Sequence, residues 1–234
     1  MKFKKTILPL VIISGIFYIP FMTSCGKSAA SPAGLDIEYA VLNLSPDLGQ
    51  VNLYIDYKLV NTITPFSFEQ NEGYFYVPST DTPYQFRSAL GSQLPIFNQS
   101  NALQTRAKYS LFIVGSVAEN SLYRIFTVDT ALTPPQGFGG VRFVNASPSA
   151  TGGLDVYANG TLAFSKTIYK GVTNYISIPA GNYNFQTNVT NTTSVLNNMP
   201  QATIQNGRLY TLYAYGYTTR TDSAVFNVGL ITNQ

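Results

Sequence analysis

The chain of 234 residues is 45% hydrophobic and 14% aromatic, with only 11% charged residues and a formal net charge of +3. It has no histidine and one cysteine, which excludes Ser-His-Asp triads, Cys-His dyads, His-ligated zinc sites and intrachain disulfides. Low charge combined with many aromatic and β-branched residues argues against disorder and favours strands over helices.

The first 24 residues are predicted to form an export signal. Three lysines at positions 2, 4 and 5 precede the apolar stretch Ile7–Met22, which has 16 residues and contains two prolines and a glycine. A membrane-spanning helix needs roughly 20 apolar residues, so the pattern is typical of a secretory signal and not of a spanning anchor. The same three lysines account for the whole net charge, so the chain from residue 25 onward is formally neutral.

The end of this signal, Phe21–Gly26 with the sequence FMTSCG, resembles the lipobox of bacterial lipoproteins, although Met22 stands where leucine is usual. The resemblance implies that cleavage precedes Cys25 and that this cysteine carries palmitate-type acyl chains. Two or three chains anchor a protein stably, where one chain binds only marginally. The alternative is an ordinary cleavage near Ser28–Ala30 that releases a soluble protein.

The rest of the chain divides into a tether and two similar domains. Residues 25–38 are small and polar and are predicted to form a lipid-anchored flexible tether. Domain 1 is predicted at residues 39–129 and domain 2 at 141–234, with a Pro- and Gly-rich linker at 130–140. Five blocks recur in the same order at offsets of 99–103 residues, which indicates a duplication: Asn43–Pro46 with Asn145–Pro148, Val51–Tyr54 with Leu154–Tyr157, Val77–Pro78 with Ile178–Pro179, Tyr84–Phe86 with Tyr183–Phe185, and Tyr109–Leu111 with Tyr210–Leu212.

Hydrophobic alternation with a period of two marks each copy as a β domain. Val51–Ile55 alternates apolar and polar residues, and Asn159–Gly160 separates two strand-like runs as a hairpin turn does. Arg208–Tyr217 is apolar on both faces, which is typical of a central strand covered on both sides. We therefore expect an all-β fold of two tandem antiparallel β-sandwiches, each with about seven strands.

The second copy carries the block VRFVNASPSATGGLDVYANG at Val141–Gly160 and the turn IPAGNY at Ile178–Tyr183. These motifs resemble the domain of unknown function family 4397, found in lipoproteins and extracellular proteins, prominently in Bacteroidota. Domain 1 resembles it as a diverged copy that keeps Asn43, Ser45 and Pro46. The resemblance implies an immunoglobulin-like or transthyretin-like fold outside the cytoplasm, and it transfers no catalytic residues. The Asn-x-Ser-Pro motif itself is expected to be a structural corner.

Tyr213, Tyr215 and Tyr217 alternate on one predicted strand and form the candidate ligand-stacking row. Their counterparts in domain 1 are Phe112, Val114 and Ser116, two of which are apolar. A core face is therefore the simpler interpretation of the row, and stacking on a sugar or peptide is the alternative.

Thr130 and Ser223 follow aspartates in Asp-Thr-Ala and Asp-Ser-Ala, which resemble the O-glycosylation acceptor motif of Bacteroidota. A three-residue match also arises by chance. No phosphate-binding loop, calcium loop or metal-ligand cluster appears in the sequence, so no metal or cofactor is expected.

The sequence predicts a lipid-anchored cell-envelope protein that acts as a non-catalytic binding or structural module. Its partners would be the membrane, through Cys25, and a glycan, a peptide or another envelope protein. Nucleic acid is not expected, because no basic cluster follows residue 27. The residues after Cys25 lack an acidic run that would resemble a surface-export signal, which favours the periplasmic face of the outer membrane.

Two alternatives remain at this point. One is a hydrolase that uses a carboxylate pair such as Glu69 and Glu72, or the Ser-x-x-Lys pattern Ser24–Lys27. A pair so close in sequence seldom supplies such a site, and cleavage before Cys25 would remove the serine. The other alternative is an assembly subunit that adds strands edge to edge.

Overall fold

The structure is a computed structural model that describes residues 35–91 and 94–233. The predicted signal, Cys25 and nearly all of the tether lie outside these residues. The described residues form strands, turns and loops without a helix. The strands are β1 (Asp36–Asn43), β2 (Val51–Ile55), β3 (Lys58–Leu59), β4 (Phe75–Pro78), β5 (Tyr84–Ser88), β6 (Pro95–Gln99), β7 (Lys108–Val114), β8 (Tyr123–Val128), β9 (Phe138–Asn145), β10 (Leu154–Ala158), β11 (Thr161–Thr167), β12 (Ile176–Pro179), β13 (Gly181–Val189), β14 (Val195–Ile204), β15 (Leu209–Tyr215) and β16 (Asn227–Thr232).

The strands form two four-stranded sheets in each domain. Domain 1 has an outer sheet in the order β3-β2-β5-β6 and an inner sheet in the order β4-β1-β7-β8. Domain 2 repeats this plan with an outer sheet β11-β10-β13-β14 and an inner sheet β12-β9-β15-β16. The all-β prediction with two tandem sandwiches is confirmed, with eight strands per domain.

One pairing in each inner sheet departs from the antiparallel expectation. β1 pairs with β7, and β9 with β15, in parallel. The chain leaves each of these pairs, runs through the outer sheet and returns, so no hairpin forces the two strands to run in opposite directions. The inner sheets are therefore mixed.

Each domain encloses its own core between its two sheets, and a third core lies between the domains. We call this third cluster the interdomain core, because both inner sheets contribute to it. Its buried members are Ala40, Leu42, Leu44, Phe112, Val114, Ile125, Val144, Ala146, Tyr213, Tyr215 and Ile231. The inner sheets are thus covered on both faces, which explains why every residue of β15 is buried.

A buried ion pair at the interdomain surface joins the inner sheets. Arg142, on β9, pairs with Asp129, just after β8, and both side chains are almost fully buried. The Asp129 carboxylate also accepts hydrogen bonds from Tyr74 (2.6 Å), Ser110 (2.6 Å) and Thr127 (2.7 Å). The buried charges are therefore held by several partners each, as the cost of their desolvation requires.

Domain 2 contributes a matching arrangement beside this ion pair. The Asn233 carboxamide accepts hydrogen bonds from Thr211 (2.7 Å) and Tyr175 (3.2 Å) and donates one to Tyr74 (2.6 Å). The Arg142 guanidinium donates to Thr211 (2.9 Å) and lies over the Tyr175 ring. We call the Asp129 and Asn233 arrangements together with Arg142 the interdomain polar network.

The Asn-x-Ser-Pro motif forms a buried corner in both domains. Asn145 donates to the carbonyls of Ala150 (3.3 Å) and Thr167 (2.8 Å), while its side-chain oxygen accepts from the Ser147 amide (3.1 Å). In domain 1, Asn43 makes the equivalent three bonds to its own neighbours. The motif ties the end of the first strand to the following loop, as the structural interpretation expects.

The first strand of domain 2 begins inside the predicted linker. β9 begins at Phe138, so residues 138–140 belong to the strand. A Cβ at Gly139 would lie 2.4 Å from the Ile204 side chain, and one at Gly140 would lie 2.5 Å from Leu209. These glycines serve close packing of the strand against its neighbours and not flexibility.

The corner of domain 1 also contains an aspartate with a lowered pKa. Partial desolvation opposes the ionisation of Asp47, but hydrogen bonds from the amides of Ala118 and Val117 and from the hydroxyls of Ser116 and Ser45 outweigh it. Together they lower the pKa of Asp47 to about 2. The charged carboxylate therefore anchors the loop that follows β7.

Asp47→Asn is expected to make the stability of the protein less dependent on pH. Because the folded-state pKa lies below the unfolded value of about 3.9, the stabilisation is complete above pH 4 and is lost as the pH falls towards 2. Asp47 is exposed to solvent, so we expect at most about 1 kcal/mol. Urea unfolding of both proteins between pH 2 and pH 6 measures this difference, and a difference that stays constant with pH would contradict it.

Candidate functional site

The structure buries the tyrosine row that was the sequence candidate for ligand stacking. Tyr213 and Tyr215 are 7% exposed and Tyr217 is 9% exposed. The first two belong to the interdomain core, and the Tyr213 ring contacts Phe112 of domain 1. The structure therefore favours the core-face interpretation over stacking: domain 1 covers Tyr213 and Tyr215, and Tyr217 is buried as well.

The two candidate O-glycosylation sites differ in the solvent exposure of their motif residues. Thr130 is exposed, but the preceding Asp129 is buried in the interdomain polar network. Ser223 is exposed together with Asp222, whose carboxylate pairs with Arg220. Cys25, the candidate lipidation site, lies outside the described residues.

The carboxylates of the described residues do not assemble into a catalytic or metal site. No group of three or more acidic or cysteine side chains could hold a metal ion in the part of the chain that the structure describes. Glu69 and Glu72 are both exposed loop residues. Desolvation raises the pKa of Glu69, while Glu72 accepts a hydrogen bond from Gln70.

A different surface combines an aromatic ring with amide side chains. On the outer sheet of domain 2, core residues of β10 and β13 alternate with Tyr157 and Gln186, which point away from the core. Tyr157 pairs in register with Gln186, and Gln186 with Asn198 on β14. We call this solvent-facing surface, with the exposed Asn184 beside the row, the amide face; Asn188, further along β13, is buried.

Two open clefts flank the centre of the amide face. The larger has a volume of about 830 Å³ and includes Tyr157, Ser165, Lys166 and the turn 190–193. The smaller has a volume of about 400 Å³ and includes Asn184, Gln186 and Asn198. Because Tyr157 and Gln186 are neighbours across the strands, the clefts adjoin along one surface.

Asp155 lines the larger cleft, and its carboxylate is occupied by hydrogen bonds within the fold. Its carboxylate accepts hydrogen bonds from the Lys166 amide (2.7 Å), the Thr190 hydroxyl (2.9 Å) and the Asn191 amide (3.1 Å). Desolvation opposes ionisation, but these three bonds outweigh it and lower the pKa of Asp155. An ionised, buried carboxylate of this kind holds the cleft wall and has no proton to donate at neutral pH.

The amide face therefore offers hydrogen bonding and ring contact. Gln186 and Asn198 can each donate and accept hydrogen bonds, and Tyr157 adds a flat, half-buried ring. The alternation of Asn184, Gln186 and Asn188 along one strand was visible in the sequence. The register that places Gln186 beside Tyr157 was not, since they lie 29 positions apart in the sequence.

Comparison with known proteins identifies a family for this chain but assigns no function to it. The model of the family DUF4397, described as a domain of unknown function, matches residues 38–152 and 139–230. A search of curated proteins found no match. Among the residues that the structure describes, no helix is long and apolar enough to cross a membrane.

Proposed function

Because the chain belongs to the family DUF4397, whose function is unknown, we propose a role from its own surface: a lipid-anchored cell-envelope protein that binds a partner without catalysis. The observation that carries this proposal is the amide face. It combines an aromatic ring, amide side chains and two adjoining clefts with a carboxylate that is already saturated with hydrogen bonds. Sites of this composition suit the binding of a ligand.

The two-domain body supports a role as a display module. The interdomain core and the interdomain polar network join the inner sheets, so the outer sheets lie at opposite ends of a four-layer stack. The chain enters this body at β1, the second strand of the inner sheet of domain 1. Anchoring at Cys25 would then hold domain 2 and its amide face through domain 1, on the periplasmic side of the outer membrane.

The two alternatives find less support. The well-placed aspartates Asp47, Asp129 and Asp155 each accept three or more hydrogen bonds within the fold, which leaves no free carboxylate pair among them for hydrolysis. Strand addition needs an open sheet edge, and several edges are blocked. The edge strands β4, β6, β12 and β14 contain Pro78, Pro95, Pro179 and Pro200, respectively, and β3 has only two residues.

Labelling with a palmitate analogue in the native host tests the anchor. The unmodified protein is expected to take up the label and to fractionate with membranes, because its acyl chains would insert in the bilayer. Cys25→Ala is expected to lose both properties, while the neighbouring variant Ser28→Ala keeps them. Label on the Cys25→Ala protein would contradict the proposed anchor.

Photo-crosslinking in intact cells tests the binding role. A photoreactive residue at Asn198, on the amide face, is expected to give a discrete adduct by mass spectrometry. The same residue at Tyr76 is the control, because that side chain is 73% exposed on the inner sheet of domain 1 and away from the amide face. Equal adducts at both positions, or none at either, would contradict a binding role for the amide face.

A further inference from the structure

The central row of the amide face occurs twice in the molecule. In domain 2 it runs Tyr157, Gln186 and Asn198 across three neighbouring strands. In domain 1 the same residue types stand in the same register as Tyr54, Gln85 and Asn98. The duplication has therefore preserved an outward-facing tyrosine with two amides beside it, although much of the surrounding sequence differs.

The two rows differ in what covers the tyrosine. In domain 1 the Arg87 guanidinium lies 4.3 Å from the centre of the Tyr54 ring and donates a hydrogen bond to Gln85 (2.5 Å). In domain 2 the position corresponding to Arg87 is Asn188, two residues beyond the row glutamine in both strands. Asn188 accepts a hydrogen bond from Gln186 (2.9 Å).

No aromatic ring or cation packs on Tyr157 within residues 35–91 and 94–233. The same row is thus open in domain 2 and closed by an arginine in domain 1. The two rows therefore have the same residue types and differ in whether a ligand can reach the tyrosine ring.

We propose that the amide face of domain 2 binds a neutral oligosaccharide, with a sugar ring stacked on Tyr157 and its hydroxyls bonded by Gln186 and Asn198. This inference rests on the proposed binding function and names its ligand class. The apolar face of a pyranose suits a tyrosine ring. Sugar hydroxyls both donate and accept hydrogen bonds, as carboxamides do.

The charges and shape of the face favour this ligand over others. Lys166 and Asp155 are the one cation and the one anion among the residues that line the two clefts, so no cluster of basic side chains selects an anion there. Peptides are usually bound at a sheet edge or in an apolar groove, whereas this surface lies on the face of the sheet and carries many amide and hydroxyl side chains. The adjoining clefts leave room for sugar units on both sides of Tyr157.

Affinity electrophoresis and calorimetry test the proposal, using the purified chain and soluble α-glucan, β-glucan, mannan, galactan and xylan, with polygalacturonate as the charged comparison. The unmodified protein is expected to bind at least one neutral polysaccharide. Tyr157→Ala is expected to weaken that binding about tenfold or more, since it removes the stacking ring. Tyr157→Phe is expected to keep most of the affinity.

Domain 1 supplies the matched controls. Tyr54→Ala removes the equivalent ring and is expected to leave the affinity unchanged, while Arg87→Asn uncovers Tyr54 and is expected to raise the number of sites from one to two. The thermal unfolding midpoint of each variant shows whether it is folded. Tyr157→Phe also keeps the test valid if Tyr157→Ala fails to fold, because its loss of binding would contradict a stacking role.

Three outcomes would overturn the proposal: binding to none of the neutral polysaccharides, binding only to polygalacturonate, or equal losses in Tyr157→Ala and Tyr54→Ala. These results are distinguishable from failure of the proposed function. A specific protein adduct at Asn198 in intact cells, without polysaccharide binding, would remove the saccharide and leave a binding role for the amide face. No adduct and no polysaccharide binding would remove both.

Discussion

Arg142→Met is expected to lower the free energy of unfolding by about 3–5 kcal/mol, the usual result of removing one partner of a buried ion pair. The substitution leaves Asp129 charged and 1% exposed, with only neutral donors around it. It also removes the donor to the Thr211 hydroxyl on β15, the neighbouring strand of the same inner sheet. Equilibrium unfolding in urea, followed by circular dichroism, measures the loss.

A double variant separates the buried charge from the packing around it. Arg142→Met combined with Asp129→Leu removes both charges and is expected to recover much of the stability lost in the single variant. Lys58→Ala removes an ion pair whose side chains are 81% and 51% exposed, so it should leave stability unchanged. If Arg142→Met is as stable as Lys58→Ala, the ion pair has little role in joining the domains.

Tyr213→Ala is expected to destabilise the protein by about 3–5 kcal/mol, as truncation of a buried aromatic side chain does. The Tyr213 ring lies between Phe112 of domain 1, with 5.7 Å between ring centres, and Tyr215 of its own strand, also at 5.7 Å. It also covers Gly229 on β16, where a Cβ would lie 2.2 Å from the ring. The cavity would therefore open in the middle of the interdomain core.

The shape of the unfolding curve distinguishes the role of Tyr213. If the interdomain core joins the domains into one cooperative unit, the unmodified protein unfolds in a single transition and Tyr213→Ala shifts or splits it. Tyr76→Ala is the matched control, because Tyr76 is 73% exposed on an inner-sheet edge strand. Tyr213→Ala with the stability of the control would show that Tyr213 is not a core residue.

Local patterns were sufficient to predict most individual strands. The alternation in Val51–Ile55 predicted β2, and the Asn159–Gly160 turn predicted the hairpin of β10 and β11. The apolar residues on both faces of Arg208–Tyr217 predicted a doubly covered strand, which β15 is. What covers its second face could not be derived, because Phe112 lies 101 residues from Tyr213 and no local pattern records their contact.

The same limit explains the parallel pairs and the candidate site. Pairing of β1 with β7 joins residues about 70 positions apart, for which turn chemistry gives no signal. The tyrosines chosen from the sequence were the conspicuous ones, since three alternate on one predicted strand, although β15 ends at Tyr215. Tyr157 stands alone in its strand, and its amide neighbours come from β13 and β14. Cross-strand register, which only the folded chain supplies, brings them together.

The contact between the two domains resembles the interface of a symmetric homodimer, except that both halves belong to one chain. Phe112 and Tyr213 occupy equivalent positions in the two copies, and equivalent residues touch only where a two-fold axis passes between them. The interdomain polar network follows the same pseudo-symmetry, with Asp129 matched by Asn233 and Tyr74 by Tyr175.

The two copies therefore meet through largely equivalent surfaces, except that Ala40 of domain 1 stands at the position of Arg142. In this chain the segment between β8 and β9 makes that association intramolecular and independent of protein concentration.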